Sequence, residues 1–208
     1  MDTEAPARSP LKVLRWLLWG LVAATAVVVA VLMFRAPAQN SQPGLPGFTL
    51  GGPFTLTGTD NRPFSSSSLR GTPYAIFFGF TNCPDVCPNT LGRLARLRQE
   101  LGKGDDAFRI LFVSVDPKRD TPAVVRDYVG LFGSPVIGLT GSEAQVAAVA
   151  KQHAIYQRKV PDKDAPDGYT VDHGAAVLLF DRDGKFVSTI ALEESDQPAL
   201  DKLKRITA

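Results

Sequence analysis

The pattern of apolar and polar positions changes period along this chain. The first block is continuous: residues 16–34 (WLLWGLVAATAVVVAVLMF) carry no charge and lie between Arg15 and Arg35. As a helix they would measure about 28 Å at ~1.5 Å per residue, close to the ~30 Å hydrocarbon core of a bilayer. Trp16 and Trp19 stand at the start of the run, where interfacial rings are favoured. Residues 35–47, rich in Pro, Gly and polar side chains from Ala36 onward, read as a linker. Residues 48–57 (FTLGGPFTLT) then alternate around Gly-Gly-Pro as a hairpin would.

From there short apolar runs alternate with helical spacing. Residues 74–80 (YAIFFGF) read as a buried strand, and Leu91, Leu94, Leu97 and Leu101 give the following segment a helical stripe ending near Gly102. Residues 109–115 (RILFVSV) repeat the strand. Thr121-Pro122 predicts an N-cap with proline at the first helical position, and Val124, Val125, Tyr128 and Leu131 supply that helix's stripe. Residues 136–139 form a short strand, and Ser142 with Gln145 predicts a capping box for a helix reaching about His153. Residues 154–160 and 169–171 flank a polar loop. Residues 175–180 (AAVLLF) read as a buried strand turned by Asp183-Gly184 into 185–190, and residues 196–206 as a closing helix. Ser65–Ser68 reads as a solvated loop. This order predicts an α/β layer fold over residues 48–208, preceded by one transmembrane helix.

Charge adds topology. The formal net charge is +2, and 44% of residues are hydrophobic, enough for a packed core. Arg8, Lys12, Arg15 and Arg35 exceed Asp2 and Glu4 near the N-terminus, which leaves the remainder balanced. No basic stripe suggests nucleic acid. Lys12 and Arg15 before the apolar run place tail 1–15 in the cytoplasm and residues 35–208 outside it. Ala36-Pro37-Ala38 loosely resembles a cleavage site, so a removed leader is the alternative to a retained anchor at 16–34. Both export the remaining chain.

Two cysteines are present, and both lie in Cys83-Pro84-Asp85-Val86-Cys87, between a predicted strand and a predicted helix. At a helix N-terminus, backbone N–H groups and the helix dipole favour thiolate, the form that binds metal or attacks a disulfide. A structural disulfide across so small a loop restrains the unfolded chain little. His173 sits in a turn before residues 175–180, where loops at one sheet edge gather around one crevice. His153 ends a predicted helix and reads as a favourable C-terminal cation. Two thiolates with one imidazole make a soft, low-coordinate set suited to Cu(I), and to Cu(II) with an added ligand. Structural zinc would want a fourth donor, with Asp85 or Asp172 nearest in sequence. Asp116 reads as a cap or as a rim residue of the same crevice. Arg119-Asp120-Thr121 reads as paired charges starting a helix.

Taken together, FFGFTNCPDVCPNT (77–90), FVSVDPKRDTP (112–122), GLTG (138–141) and YTVDHG (169–174) resemble the Sco/SenC family, copper proteins with a thioredoxin-like fold. The likeness covers most of residues 48–192. Gly174 departs from it, since serine is more usual after the histidine. The resemblance implies that Cys83, Cys87 and His173 are copper ligands. It implies a metallochaperone that supplies the cytochrome c oxidase subunit carrying the copper A site. A copper donor or a thioredoxin-like reductase is a further expected partner. It also implies a domain held by its anchor on the outer face of the inner (plasma) membrane. Ordinary thioredoxins carry C-x2-C and a proline in the loop facing the cysteines; here the corresponding loop bears His173. The main rival is a membrane-anchored thiol–disulfide oxidoreductase using Cys83 and Cys87 as a redox pair. A thiol peroxidase is the other, although no obvious peroxide pocket flanks Cys83 beyond the nearby Thr81.

Overall fold

The computed structural model describes residues 10–35 and 50–208, divided between Phe48 and Thr49 into two compact units. In the first unit, Pro10–Arg35 form one helix, α1. Its side chains are described over residues 14–29, a length of about 24 Å, and all of them are exposed, apolar ones included. Among the described residues no helix is long and apolar enough to cross a membrane; the expected span over 16–34 runs past residue 29, the last of α1 whose side chain is described. The tail before residue 10, the linker from residue 36 and the cleavage-like Ala36-Pro37-Ala38 lie outside the described residues.

In the second unit the strands are β1 (Thr55–Gly58), β2 (Pro63–Ser65), β3 (Tyr74–Gly79), β4 (Arg109–Ser114), β5 (Val136–Thr140), β6 (Gln157–Pro161), β7 (Tyr169–His173), β8 (Val177–Phe180) and β9 (Phe186–Ile190). The helices are α2 (Val86–Glu100), α3 (Pro122–Val129), α4 (Glu143–Gln152) and α5 (Asp196–Ile206). Among the described residues seven strands make one mixed sheet in the order β2-β1-β5-β4-β3-β8-β9. β3, β4 and β5 are parallel to one another, and β8 runs antiparallel to β3. α3 packs on β5, α4 on β1, and α5 on β8 and β9. β3 and β8 are buried along their whole length and β4 from Ile110 onward, which is why they read as continuous apolar runs rather than alternating ones. Phe77, Phe78, Phe112 and Phe180 are fully buried, each contributing roughly 1.5–3 kcal/mol of apolar transfer.

Local signals place the helices. Thr121 caps α3 through its side chain with Pro122 in the first turn, and Ser142 and Gln145 form a reciprocal capping box on α4. Two expectations need correction. The hairpin expected over 48–57 forms later: β1 pairs with β2, and residues 59–62 make the turn. Gly51 and Gly52 instead adopt positive φ so that the Gly51 N–H can donate to the Gln152 carbonyl at the end of α4. On α3, Val125 and Val129 are buried, whereas Val124 and Leu131 are exposed. The chain leaves α-helical geometry at Gly130, so the periodicity ends before Leu131.

His153 is the third correction. It is no solvated cation at a helix end: it is 1% exposed, with rings of Phe54, Phe78 and Phe180 around it. Its Nδ1–H donates to the Val149 carbonyl, and burial pushes its pKa below the ordinary value. The sign of the linkage follows. Above about pH 6.5 folded and unfolded chains are both neutral at this residue. Below it the unfolded chain takes a proton that the folded chain refuses, so stability is lost as pH falls toward the folded value. His153→Phe is expected to flatten the loss of stability between pH 7 and pH 5 relative to the natural chain, read from denaturant midpoints. Parallel pH curves for the two proteins would refute it.

Candidate functional site

β3 delivers the chain to the sulfur pair. At its last residue, Gly79, an added Cβ would stand 2.8 Å from Cys87 Sγ and 2.9 Å from the Phe112 ring, so only glycine lets the thiol sit there. The backbone then turns, with the Cys83 N–H donating to the Phe80 carbonyl at 3.2 Å. α2 begins at Val86, which puts Cys87 in its first turn. The N-cap residue, Asp85, makes no side-chain cap; its carboxylate accepts from Asn89 Nδ2 at 2.5 Å instead. Cys83 Sγ does the capping, accepting the Cys87 backbone N–H at 3.4 Å. A sulfur in that place faces unpaired N–H groups and the positive end of the helix dipole.

The two thiols are free and unequal. Cys83 is half-buried and Cys87 is buried. A hydrogen bond from the Cys87 thiol, with the His173 side chain and then the backbone N–H groups of Cys87 and Asp85 adding to it, lowers Cys83 to about 4 against the opposing effect of burial. The same bond, together with burial, pushes Cys87 strongly up. Cys83 is therefore the sulfur favoured as thiolate, and Cys87 the one favoured as thiol.

His173, at the end of β7, comes to this pair from far along the chain. Its Nδ1–H donates to the Gly174 carbonyl at 3.0 Å, which leaves Nε2 as the ring nitrogen facing the sulfurs. Nε2 lies 3.8 Å from Cys87 Sγ. Two donors on one zinc-sized metal, with sulfur and nitrogen bonds of ~2.3 and ~2.0 Å, would stand about 3.5–3.7 Å apart. Phe80 and Phe77 meet the imidazole edge-on, at 5.8 and 6.2 Å between ring centroids. Among the described residues no three or more Cys, His, Asp or Glu stand already closed into a metal cage. Asp85 is engaged with Asn89, and Asp172 is exposed on the strand face opposite to His173.

The loop after β4 supports both halves of this arrangement, and sequence reasoning missed its part. Asp120 does not pair with Arg119; it is buried and accepts from the Thr81 N–H at 3.0 Å, the Thr81 hydroxyl at 2.6 Å and the Ser114 hydroxyl at 2.5 Å. It thereby ties the turn that carries Cys83. Asp116, also buried, pairs with Arg119 and accepts from the Tyr169 hydroxyl at 3.0 Å. The available signal was two acids four positions apart after a fully apolar strand, where charges demand partners.

A mixed sheet with a C-x3-C turn between strand and helix, faced by a histidine on a hairpin, defines a thioredoxin-like protein of the metal-binding or redox kind. The comparisons specify it further. A family profile described as SCO1/SenC matches residues 43–208. "Protein SCO2, mitochondrial" of Saccharomyces cerevisiae is 38% identical over 74% of this chain and 52% of its own length, so the chain spans about half of that relative. "SCO2-like protein" of Rickettsia felis is 34% identical over 74% of this chain and 76% of its own. Among solved structures, Bradyrhizobium japonicum ScoI with copper bound superposes with a TM-score of 0.68 at 43% identity, covering 76% of this chain and 99% of that one. This chain belongs to the SCO1/SenC family.

The inequality of the two sulfurs can be tested directly. Cys87→Ala removes the largest cause of the low Cys83 value, so alkylation of Cys83 at pH 6 should slow about tenfold, the drop expected for a thiol pKa near ~7. An unchanged rate would show that Cys87 does not hold the charge.

Proposed function

We propose that this protein is a membrane-anchored copper carrier that binds copper through Cys83, Cys87 and His173 and delivers it to the copper A site of a cytochrome c oxidase subunit. The observation that carries this reading is the approach of His173 Nε2 to Cys87 Sγ at 3.8 Å, in a chain 43% identical to a ScoI described with copper bound. Copper is the cargo. Cu(I) meets the Cys83 thiolate first, because that sulfur is ionised and half-exposed. Bonding to Cys87 releases its proton to solvent. His173 completes the set with the nitrogen it already turns toward the sulfurs. Three donors would leave the metal open to a fourth, so donors of the acceptor can replace Cys83, Cys87 and His173 one at a time, each new bond to the metal forming as an old one breaks. Cu(II) would take an added ligand in the open position.

A specific observation also favours a second activity of the same pair. An ionised, half-exposed Cys83 beside a protonated, buried Cys87 is the arrangement of an attacking and a resolving thiol. Cys83 thiolate would attack a target disulfide and expel one target sulfur as thiolate. Cys87 would lose its proton and attack the mixed disulfide. The Cys83–Cys87 disulfide forms, the target gains two electrons, and a thioredoxin-like reductase would be needed to restore the dithiol. A peroxidase is disfavoured because the Thr81 N–H and hydroxyl are both committed to Asp120.

Residues 16–34 would form the retained anchor, with tail 1–15 in the cytoplasm, 35–47 as linker and 48–208 on the outer face of the inner (plasma) membrane. Support comes from α1, whose side chains over 14–29 are exposed and largely apolar.

Two measurements test these readings. His173→Ala should weaken Cu(I) at least about tenfold in chelator competition, roughly the value of one lost donor interaction of ~1.4 kcal/mol, while leaving disulfide exchange intact. Equal affinity would remove His173 from the site. The full chain should stay in the membrane pellet through alkaline carbonate washing, and release into the supernatant would refute a retained span.

A further inference from the structure

The histidine and the cysteines stand on different sheets. Among the described residues β6 and β7 pair only with each other, from Gln157↔His173 to Pro161↔Tyr169, and no strand ladder joins them to the seven-stranded sheet. A cavity of about 290 Å³ opens between this hairpin and the body, lined among others by Val115, Pro117, Val146, Lys159 and Val171. Backbone pairing therefore does not set where His173 points. Side chains hold the hairpin to the body: Val171 lies in the core, and Tyr169 is gripped at the other end of β7. The Arg119 guanidinium lies 4.0 Å from the Tyr169 ring centroid and 5.9 Å from that of Phe80. Its Nη1 donates to the Tyr169 carbonyl at 3.1 Å, and it pairs with Asp116, which is wholly buried. The Tyr169 hydroxyl donates to both oxygens of that carboxylate at 3.0 and 3.1 Å. Phe80, against one side of Arg119, meets the His173 ring edge-on. Lys159 of β6 reaches Asp116 at 3.8 Å and Glu143 at 3.1 Å, closing the far side.

We propose that Arg119, clamped between Asp116, Tyr169 and Phe80, is a positioning residue that fixes the β6–β7 hairpin and so holds His173 against the cysteine pair. The claim rests on the copper reading for its consequence but not for its geometry. A planar guanidinium can stack on a ring and hydrogen-bond a carboxylate and a carbonyl at once, which an ammonium cannot. Freed of it, the hairpin keeps its own ladder and its buried Val171 but is held more loosely, and His173 no longer stays against the two thiols.

The experiment uses the full chain in detergent. In the metal-free protein, Arg119→Ala should speed hydrogen exchange of the β6 and β7 amides at least about tenfold while β3 and β4 stay protected. Unchanged hairpin exchange overturns the proposal, whatever copper does. In Cu(I) competition, Arg119→Ala should weaken binding by the same factor as His173→Ala, and the double variant should be no weaker than either single one. Losses that multiply in the double variant overturn the proposal. If His173→Ala alone leaves affinity unchanged, the ligand assignment fails instead, and the exchange measurement still decides the clamp. Should Arg119→Ala unfold, Tyr169→Phe, which keeps the stacked ring and deletes the hydroxyl, carries both measurements with the same expected directions. Arg119→Lys should fail to restore either.

Discussion

A sulfur seated as the cap of a helix start is the interaction on which the rest of this site depends. The Cys83 sulfur accepts from the Cys87 thiol and backbone N–H, and sits where the first turn of α2 offers donors that nothing else caps. That arrangement demands a buried second sulfur, and Gly79 makes room for it. It also demands a turn of fixed shape between strand and helix, which Asp120 secures through Thr81. The pair is thus ready as thiolate and thiol before any cargo or target arrives, so neither metal binding nor disulfide exchange has to remove two protons.

The imidazole reaches that pair by a different route. The cysteines ride on the end of a sheet strand whose neighbours are buried on every side. His173 rides on a two-stranded hairpin attached through side chains. One loop, between β4 and α3, reaches both: Asp120 faces the cysteine turn, and Asp116 with Arg119 faces the hairpin. Buried acids so placed are costly unless every oxygen is answered, and here hydroxyls, amides and a guanidinium answer them. The same economy of polar groups is absent around His153, where aromatic rings and one carbonyl keep an imidazole neutral in the core. The two histidines of this chain therefore have opposite fates: one is packed away from water, the other is turned toward sulfur.

Much of the domain was legible beforehand because its signals are local. The apolar runs at β3, β4 and β8, the Thr121-Pro122 start of α3 and the Ser142–Gln145 box on α4 each act within a few residues of themselves. The motif blocks around Cys83, Cys87 and His173 pointed to the family that the comparisons then established. The misreadings arose where distant chain segments decide. Gly51 and Gly52 turn toward the end of α4 rather than into a hairpin, and Arg119 serves Asp116 and Tyr169 rather than its neighbour Asp120.

By itself, then, the amino-acid order determined the strands and helices, the sulfur pair at a helix start and the kinship that makes copper the expected cargo. Those follow from side-chain period, capping chemistry and residue identity, which are properties of neighbours in the chain. Only the tertiary structure decided which sulfur is buried, that His153 lies in the core, and that His173 arrives beside Cys87 on a separate hairpin. Burial and electrostatics depend on what lies across space, and no spacing along a sequence specifies which carboxylate, ring or carbonyl will be there.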